Sequence, residues 1–539
     1  MNSSSLKPCL VPARRGFCVL YKERFLYSKY DPQKAVLDLI NSLTILDDSL
    51  ILIFSPCLWL GIEELLSKIP KNCRIFAIED EEELFNFSKS LLKEKKLEHK
   101  ITLANTKEFF VQLSGISFYK RVIPIDFSGG VFFHKDEYQK AFVDSRNVIN
   151  SFWKNRVTLV KFGRLYSKNF FINLKKNPAQ FSIPAHNQIF SRPIIVFGAG
   201  ESLYNFLKSD LLSVLDSFTI IAVDAALPVL HAFNVKPDFV VCQEAQLAIE
   251  KNYIGCKTLS TGIFDLASRP QVMNHFKGKK LFFSTNYADS SFFDKMKELN
   301  ILPQEIPPLG SVGLSAIFIS LVLRKNQNVP VLFCGLDFSF SLGKTHSNET
   351  SAHKTRLCNT TRLFSIENYE ASFKTGSEKI IGKNQFVYTD QTLKNYAEIF
   401  SSFFKGTENL FDVSEFGLHL SIPSIKSDEI KKLAEKYEKK CQNEYEILFD
   451  MELSDSIQEK TIQFLNEEKE ALLRLKNLLS NGENAIPKPN PNLQTEVAEL
   501  LKTREYLYLH FPDGYKKDFT SISFLKRIRN EIDFFLKNF

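Results

Sequence analysis

The chain carries no Cys-x-x-Cys pair, and its nine cysteines are scattered and odd in number. That usage argues against a disulfide framework or a zinc site and for a reducing cytoplasm. Arg14 and Arg15 lie near the start, but no apolar segment leads from them to a small-residue cleavage site. The longest apolar stretch, Ser49 to Ile62, is interrupted by Ser55 and Pro56. It falls short of the ~18–20 residues that span a bilayer. A cytoplasmic protein, neither exported nor inserted in a membrane, is expected. A formal net charge of +7 over 539 residues is too small an excess to indicate nucleic acid as a partner. Neither an internal repeat nor a long low-complexity segment is visible.

What is present is a chain long enough for two or three domains, with an ordinary 44% of hydrophobic residues and 50 Phe, read as core filler. The fold class expected is α/β. Residues 1–177 read as an N-terminal Rossmann-like α/β domain, with strands at Ser49 to Phe54 and Arg74 to Ile78 around a helix from Ile62 to Ile69. Its first loop, Ser55 to Gly61, lacks the glycines of a working dinucleotide loop, so a structural or docking role is expected there. Residues 178–423 read as a central domain with a doubly wound, mainly parallel sheet. Its strands are expected at Ile194 to Phe197, Phe218 to Val223, Asp238 to Val241, Thr258 to Ile263, Lys280 to Phe283 and Val329 to Phe333. Residues 424–539 read as a helical region, with helices at Lys426 to Leu448, Ser456 to Leu479, Leu493 to Tyr508 and Ser521 to Lys537. Its break is the run Pro487-Lys488-Pro489-Asn490-Pro491.

The chemistry concentrates in the middle. The apolar run Ile194 to Phe197 ends in Gly198-Ala199-Gly200, and a helix-compatible segment with Ser202 follows. Glycines let a backbone approach a phosphate closely, and the N–H groups of a new helix face an anion. The competing reading is a tight turn that merely needs glycine. Glu201, in the first helical turn, favours the helix dipole but repels a bound anion. Asp224 closes the next strand, where a carboxylate can accept ribose hydroxyls or cap a helix. Glu244 and Gln246 lie past the end of the third. A second glycine loop, with Gly310, Ser311 and Gly313, again precedes a helix. A late strand delivers Gly335-Leu336-Asp337 to the same edge. Lys344, His346 and Arg356 follow in a loop where a histidine can act as a general base and cations can hold a leaving phosphate. Tyr388 stands before a helix capped by Thr389 or Asp390. No metal site is assigned.

At these residues the sequence resembles the motility-associated factor (Maf) glycosyltransferases, whose central domain is called 6-hydroxymethylpterin diphosphokinase MptE-like. The stretches that carry the likeness are Arg192 to Leu203, Ala222 to Ala225 with Lys236 to Val241, Gly310 to Ala316, and Gly335 to Phe338 with Lys344-Thr345-His346. Asn150 to Asn173 and Phe411 to Leu420 resemble the link into that domain and its end. The central part is also similar to bacterial sialyltransferases. The resemblance implies transfer of a nonulosonic, sialic-acid-like sugar from a CMP-activated donor to Ser or Thr hydroxyls of flagellin, with no tightly bound cofactor. Carried over by residue, Gly198, Gly200, Ser202 and Ser311 would hold the CMP phosphate and Asp224 its ribose. His346 is the candidate base on its chemistry. Two other readings stay open: an ATP-dependent pterin diphosphokinase using carboxylates such as Asp224, Glu244 and Asp337 around Mg²⁺, and a non-catalytic flagellin-binding factor.

Overall fold

The structure is a computed structural model and describes residues 7–178, 182–183, 189–256, 260–288, 290–366, 375–437, 455–480 and 491–539. The chain divides into two compact units, Met1–Thr158 and Leu159–Phe539, and the division falls inside a helix, Lys135–Lys176.

The first unit opens with a small antiparallel sheet of β1 (Cys9–Pro12), β2 (Phe17–Tyr21) and β3 (Arg24–Phe25). A parallel sheet follows, made of β4 (Ser49–Phe54), β5 (Arg74–Ile78), β6 (Ile101–Ala104) and β7 (Arg121–Asp126) in the order β6-β5-β4-β7. β4 is buried along its whole length, which is why it reads as an unbroken apolar run. The strand order reverses between β4 and β7, the place where open α/β sheets hold ligands. Here the crevice is filled by the protein's own side chains. Ser55, Cys57 and Trp59 take the left-handed backbone region usually reserved for glycine, at φ 48°, 44° and 56°. Burial and side-chain hydrogen bonds hold them there. The Trp59 indole donates to Ser88 O at 2.8 Å, and Ser55 Oγ donates to Glu79 Oε2 at 2.7 Å. Glu79 follows β5 directly and is fully buried, and the Tyr138 hydroxyl also donates to it at 3.1 Å. Burial pushes its pKa up to about 7.

The second unit is built on a sheet of eight strands. They are β8 (Ile194–Phe197), β9 (Thr219–Val223), β10 (Phe239–Cys242), β11 (Thr261–Asp265), β12 (Lys280–Thr285), β13 (Glu305–Ile306), β14 (Val331–Cys334) and β17 (Leu410–Asp412). Their order is β13-β12-β11-β10-β9-β8-β14-β17 and every pairing is parallel. A hairpin of β15 (Glu378–Ile381) and β16 (Phe386–Thr389) lies outside it. The α/β architecture expected is therefore the one found. Successive residues of the strands feed opposite faces. Phe239 and Val241 join one core with the helices Glu201–Lys208 and Val312–Leu323, while Val240 and Cys242 join the other.

That other core contains the expected C-terminal helices. The helices Asp455–Ser480, Pro491–Lys502 and Ile522–Leu536 pack their apolar sides on the sheet face and on Phe170 and Phe171, rather than only on each other. Boundaries also differ where a helix tightens. The expected helix Leu203 to Leu215 is α-helical only over Glu201–Lys208 and continues as a 3₁₀ segment, Asp210–Ser217, begun by the Ser209 hydroxyl. Leu493 to Tyr508 ends its α-helix at Lys502. The helix from Lys426 is found over Ser427–Glu435, and its expected continuation past residue 437 lies outside the described residues, as does most of the proline-rich break.

The sequence order of the large sheet reverses between β8 and β14, so their carboxyl-end loops meet. Gly198 and Gly335 face each other so closely that a Cβ on Gly198 would lie 2.4 Å from Gly335 O, and one on Gly335 would lie 2.6 Å from Gly198 O. Gly335 also has φ 79°. Gly335→Ala therefore combines backbone strain with a clash and is expected to cost about 3 kcal/mol or more. Chemical denaturation should show it, and a variant of wild-type stability would refute the interlock.

Candidate functional site

The site lies at the carboxyl edge of the sheet, on the loops after β8, β9, β10 and β14. Leu336 is the piece that joins two of the glycine motifs. A Cβ on Gly198 would meet its Cδ2 at 2.5 Å, and a Cβ on Gly313 would meet the same atom at 2.3 Å. The two glycine loops are thus pinned to one another through a single leucine.

The first turn differs from the expectation placed on it. Gly200 N donates to Gly335 O at 2.8 Å, and Ser202 N donates to Asp337 Oδ2 at 2.9 Å. The Ser202 hydroxyl accepts from Phe416 N at 3.2 Å. An internal carboxylate occupies the helix start where a phosphate was expected. Asp337 is 4% exposed, and burial pushes its pKa up to about 6. Gly198, Gly200 and Ser202 are brought together with Asp337. Glu201 does not face that turn either. Its carboxylate accepts from Ser341 Oγ at 2.6 Å and lies 3.5 Å from Lys344 Nζ.

The second loop leaves more to a ligand. Ser311 has an extended backbone and does not use its hydroxyl to cap the helix Val312–Leu323. Gly310 has φ 76°, and its missing Cβ would stand 3.1 Å from the Tyr396 ring. Ser315, one turn on, donates to Gln243 Oε1 at 3.0 Å and ties this helix to the loop after β10.

Asp224 and Glu244 form the acidic side. Asp224 is 3% exposed, and its Oδ1 accepts from the following N–H of Ala225 at 2.7 Å. Burial raises its pKa to about 7, and the charge of Glu244 adds to the effect. Glu244 is exposed, and its Oε1 accepts from Gln246 Nε2 at 3.1 Å. Tyr166 and Tyr396 both have raised pKa values through burial and through Glu244, which places these two rings in the field of the same carboxylate. Neither tyrosine was singled out in the sequence. The loop that carries Glu244 is held by Asn169, whose amide donates to Ala245 O and Ala267 O at 3.2 Å each. Asn173, one turn later, donates to Leu266 O and Ser268 O at 2.9 and 2.8 Å. Two asparagines four residues apart on an otherwise apolar helical face were the signal available for this clamp.

The basic side comes from the segment after β14. Ser347 N donates to Ala199 O at 2.8 Å, which docks this segment on the first glycine turn. His346, next to it, is exposed to solvent yet recessed among neighbouring atoms. That crowding, with the charge of Arg356, lowers its pKa to about 4. The ring is therefore neutral at pH 7. Tyr388 stands apart from the other candidates. Its N–H and C=O pair with Phe340, and its ring stacks on Phe340 at 6.2 Å, so it supports the start of the loop. Asp390, not Thr389, caps the following helix. Lys383 and Asp412, a buried pair at 2.5 Å that also faces Asp337, were not visible in the sequence because they lie on separate elements.

With this geometry in place, three comparisons bear on the chain. A family model described as 6-hydroxymethylpterin diphosphokinase MptE-like matches residues 168–343. The match covers the middle of the chain. Its matched span holds both glycine loops, Asp224, Glu244 and Asp337. An uncharacterized protein of Treponema pallidum (strain Nichols) is 29% identical over 563 residues, covering 99% of this chain and 95% of its own. A solved structure of a Maf glycosyltransferase from Magnetospirillum magneticum AMB-1 has the same fold, with a TM-score of 0.54 and 11% identity over 98% of this chain and 91% of its own. The Maf-type fold with a central MptE-like domain is thus the fold of this chain.

The buried Asp224 gives a pH prediction. Its folded pKa is raised above the unfolded value of about 3.9. Its contribution to stability is therefore largest below that value and is lost as pH rises toward 7. Asp224→Asn should raise the melting temperature relative to wild type, and by more at pH 8 than at pH 5. An equal shift at both pH values would refute the buried, uncompensated carboxylate.

Proposed function

We propose that this protein is a glycosyltransferase that moves a nonulosonic, sialic-acid-like sugar from a CMP-activated donor to Ser or Thr hydroxyls of flagellin in the cytoplasm. The observation that carries the reading is the likeness to a Maf glycosyltransferase along 98% of this chain, with the chemistry gathered at the one sheet edge where the strand order reverses. In this reading the donor phosphate lies at the start of the helix Val312–Leu323, against Gly310 and Ser311, with Lys344 and Arg356 steadying the departing CMP. Asp224 accepts from the ribose hydroxyls, and Glu244 and Gln246 contact the sugar. Gly198, Gly200, Ser202 and Asp337 hold the turn that shapes the crevice, and Tyr388 supports the loop. The acceptor oxygen bonds to the anomeric carbon as the bond from that carbon to the phosphate oxygen breaks. The hydroxyl proton passes to His346, and CMP leaves with the bonding electrons. A histidine already neutral at pH 7 is in the protonation state a base requires. No tightly bound cofactor is invoked.

The name of the MptE-like family favours a second reading, diphosphate transfer to a pterin. That chemistry wants several carboxylates around one Mg²⁺. Asp337 is engaged with Ser202, and among the described residues no three His, Cys, Asp or Glu side chains group as a metal set. Among the same residues no helix is long and apolar enough to cross a membrane.

Incubation with flagellin and a CMP-nonulosonate should add the mass of the sugar to flagellin, read by intact-protein mass spectrometry. No mass gain would overturn the proposal. His346→Ala should lower the transfer rate by about 10²-fold or more while leaving CMP affinity within a few-fold. Transfer at the wild-type rate would remove His346 from the mechanism.

A further inference from the structure

The helix Ser351–Cys358 carries a histidine that the reading above does not use. His353 is 7% exposed, and its Nδ1 is buried with no hydrogen-bond partner among the described residues. Ser347 Oγ is also buried and, among the described residues, without a partner. The two belong to one tightly wound turn. Thr350 Oγ1 donates to Ser347 O at 2.7 Å and accepts from His353 N at 3.2 Å. Two unsatisfied polar atoms in one turn call for a missing partner. A hydroxyl can donate, and so can the Nδ1–H of an imidazolium, so one partner with several acceptor oxygens satisfies both.

The surrounding charge points the same way. Lys344 and Arg356 both act on His353 and, with burial, lower its pKa. Arg356 lies three residues along on the same face of the helix. Two acidic groups also face the ring, Glu349 from the preceding loop and Glu201 from the helix Glu201–Lys208. Glu201 lies 3.5 Å from Lys344, and Glu349 lies 2.9 Å from Lys354, so acids and cations alternate around the ring.

We propose that Ser347, His353, Lys344 and Arg356 form a subsite for a tetrahedral oxyanion, and that its occupancy draws a proton onto His353. An anion set among these groups offsets the two cations that disfavour the imidazolium and gives Nδ1–H an acceptor. The proton comes from solvent, and no bond other than N–H is made. The subsite rests on the glycosyltransferase reading only for the identity of its natural ligand, the phosphate of the CMP as it departs. The sign follows from linkage. The bound-state pKa of His353 is higher than the free-state pKa, so the added affinity is present at low pH and is lost as pH rises through the bound-state value.

The test is proton NMR titration of the full-length protein with inorganic sulfate, which keeps its charge across the neutral range. The chain has nine histidines, and the His353 signal is identified by its loss in His353→Asn or, if that variant fails to fold, in His353→Gln. The expected result is a rise of about one pH unit or more in the His353 midpoint at saturating sulfate, with no comparable shift at His346. Lys344→Gln should raise the sulfate-free midpoint and weaken sulfate binding several-fold. A His353 midpoint that sulfate leaves unchanged would overturn the subsite. A shift with sulfate but no transfer to flagellin would overturn the glycosyltransferase reading and leave the subsite standing.

Discussion

Leu336 sits where three glycine-bearing loops converge, and the geometry of the site follows from that contact. Its side chain occupies the space that a Cβ at Gly198 or at Gly313 would need, while the backbone beside it presses Gly335 against Gly198. Close packing makes such an arrangement stiff, because no side chain can shift without displacing a backbone. The helix beginning at Val312, the turn after β8 and the loop after β14 are therefore fixed relative to one another before any ligand arrives. A site preorganised in this way loses little entropy on binding.

Around that fixed point the charges separate. Asp224 and Glu244 stand on the loops after β9 and β10, and Lys344, His346, His353 and Arg356 come from the segment after β14. Glu201 joins the basic side through Lys344 instead of repelling a phosphate at the turn. Asp337 takes the role of the anion at the helix Glu201–Lys208, and its second neighbour, Lys383, is itself paired with Asp412. Through Ser202 N, this buried carboxylate ties the loop after β14 to the turn after β8.

Much of this was legible in the sequence, for physical reasons that can be named. Apolar runs such as Ile194 to Phe197 and Val329 to Phe333 announce strands buried on both faces, and glycines at their ends announce close approach. What the glycines approach was not legible. Gly198 and Gly200 serve another stretch of backbone, and only the strand order shows that Gly335 is its neighbour. Lys383 with Asp412 and Asn169 with Ala245 escaped for the same reason, since each pairs groups far apart in the chain. The loop Ser55 to Gly61 has Ser55, Cys57 and Leu58 where a dinucleotide loop wants glycine, and so it read as structural. It keeps the left-handed conformation at Ser55, Cys57 and Trp59 nonetheless, held by the burial of the side chains that fill the crevice.

The helices near the end of the chain share one core with the sheet, and Phe171 touches the rings of both Phe535 and Phe539, at 6.0 and 4.6 Å. This sets an order on biosynthesis. The first unit has its strands and its core within residues that leave the ribosome early. The large sheet cannot cover its second face until the stretch reaching Phe539 has been translated. A nascent chain paused between Asp412, where the last strand of the sheet ends, and Phe539 exposes an apolar sheet face, and the interval is one in which a chaperone has something to hold.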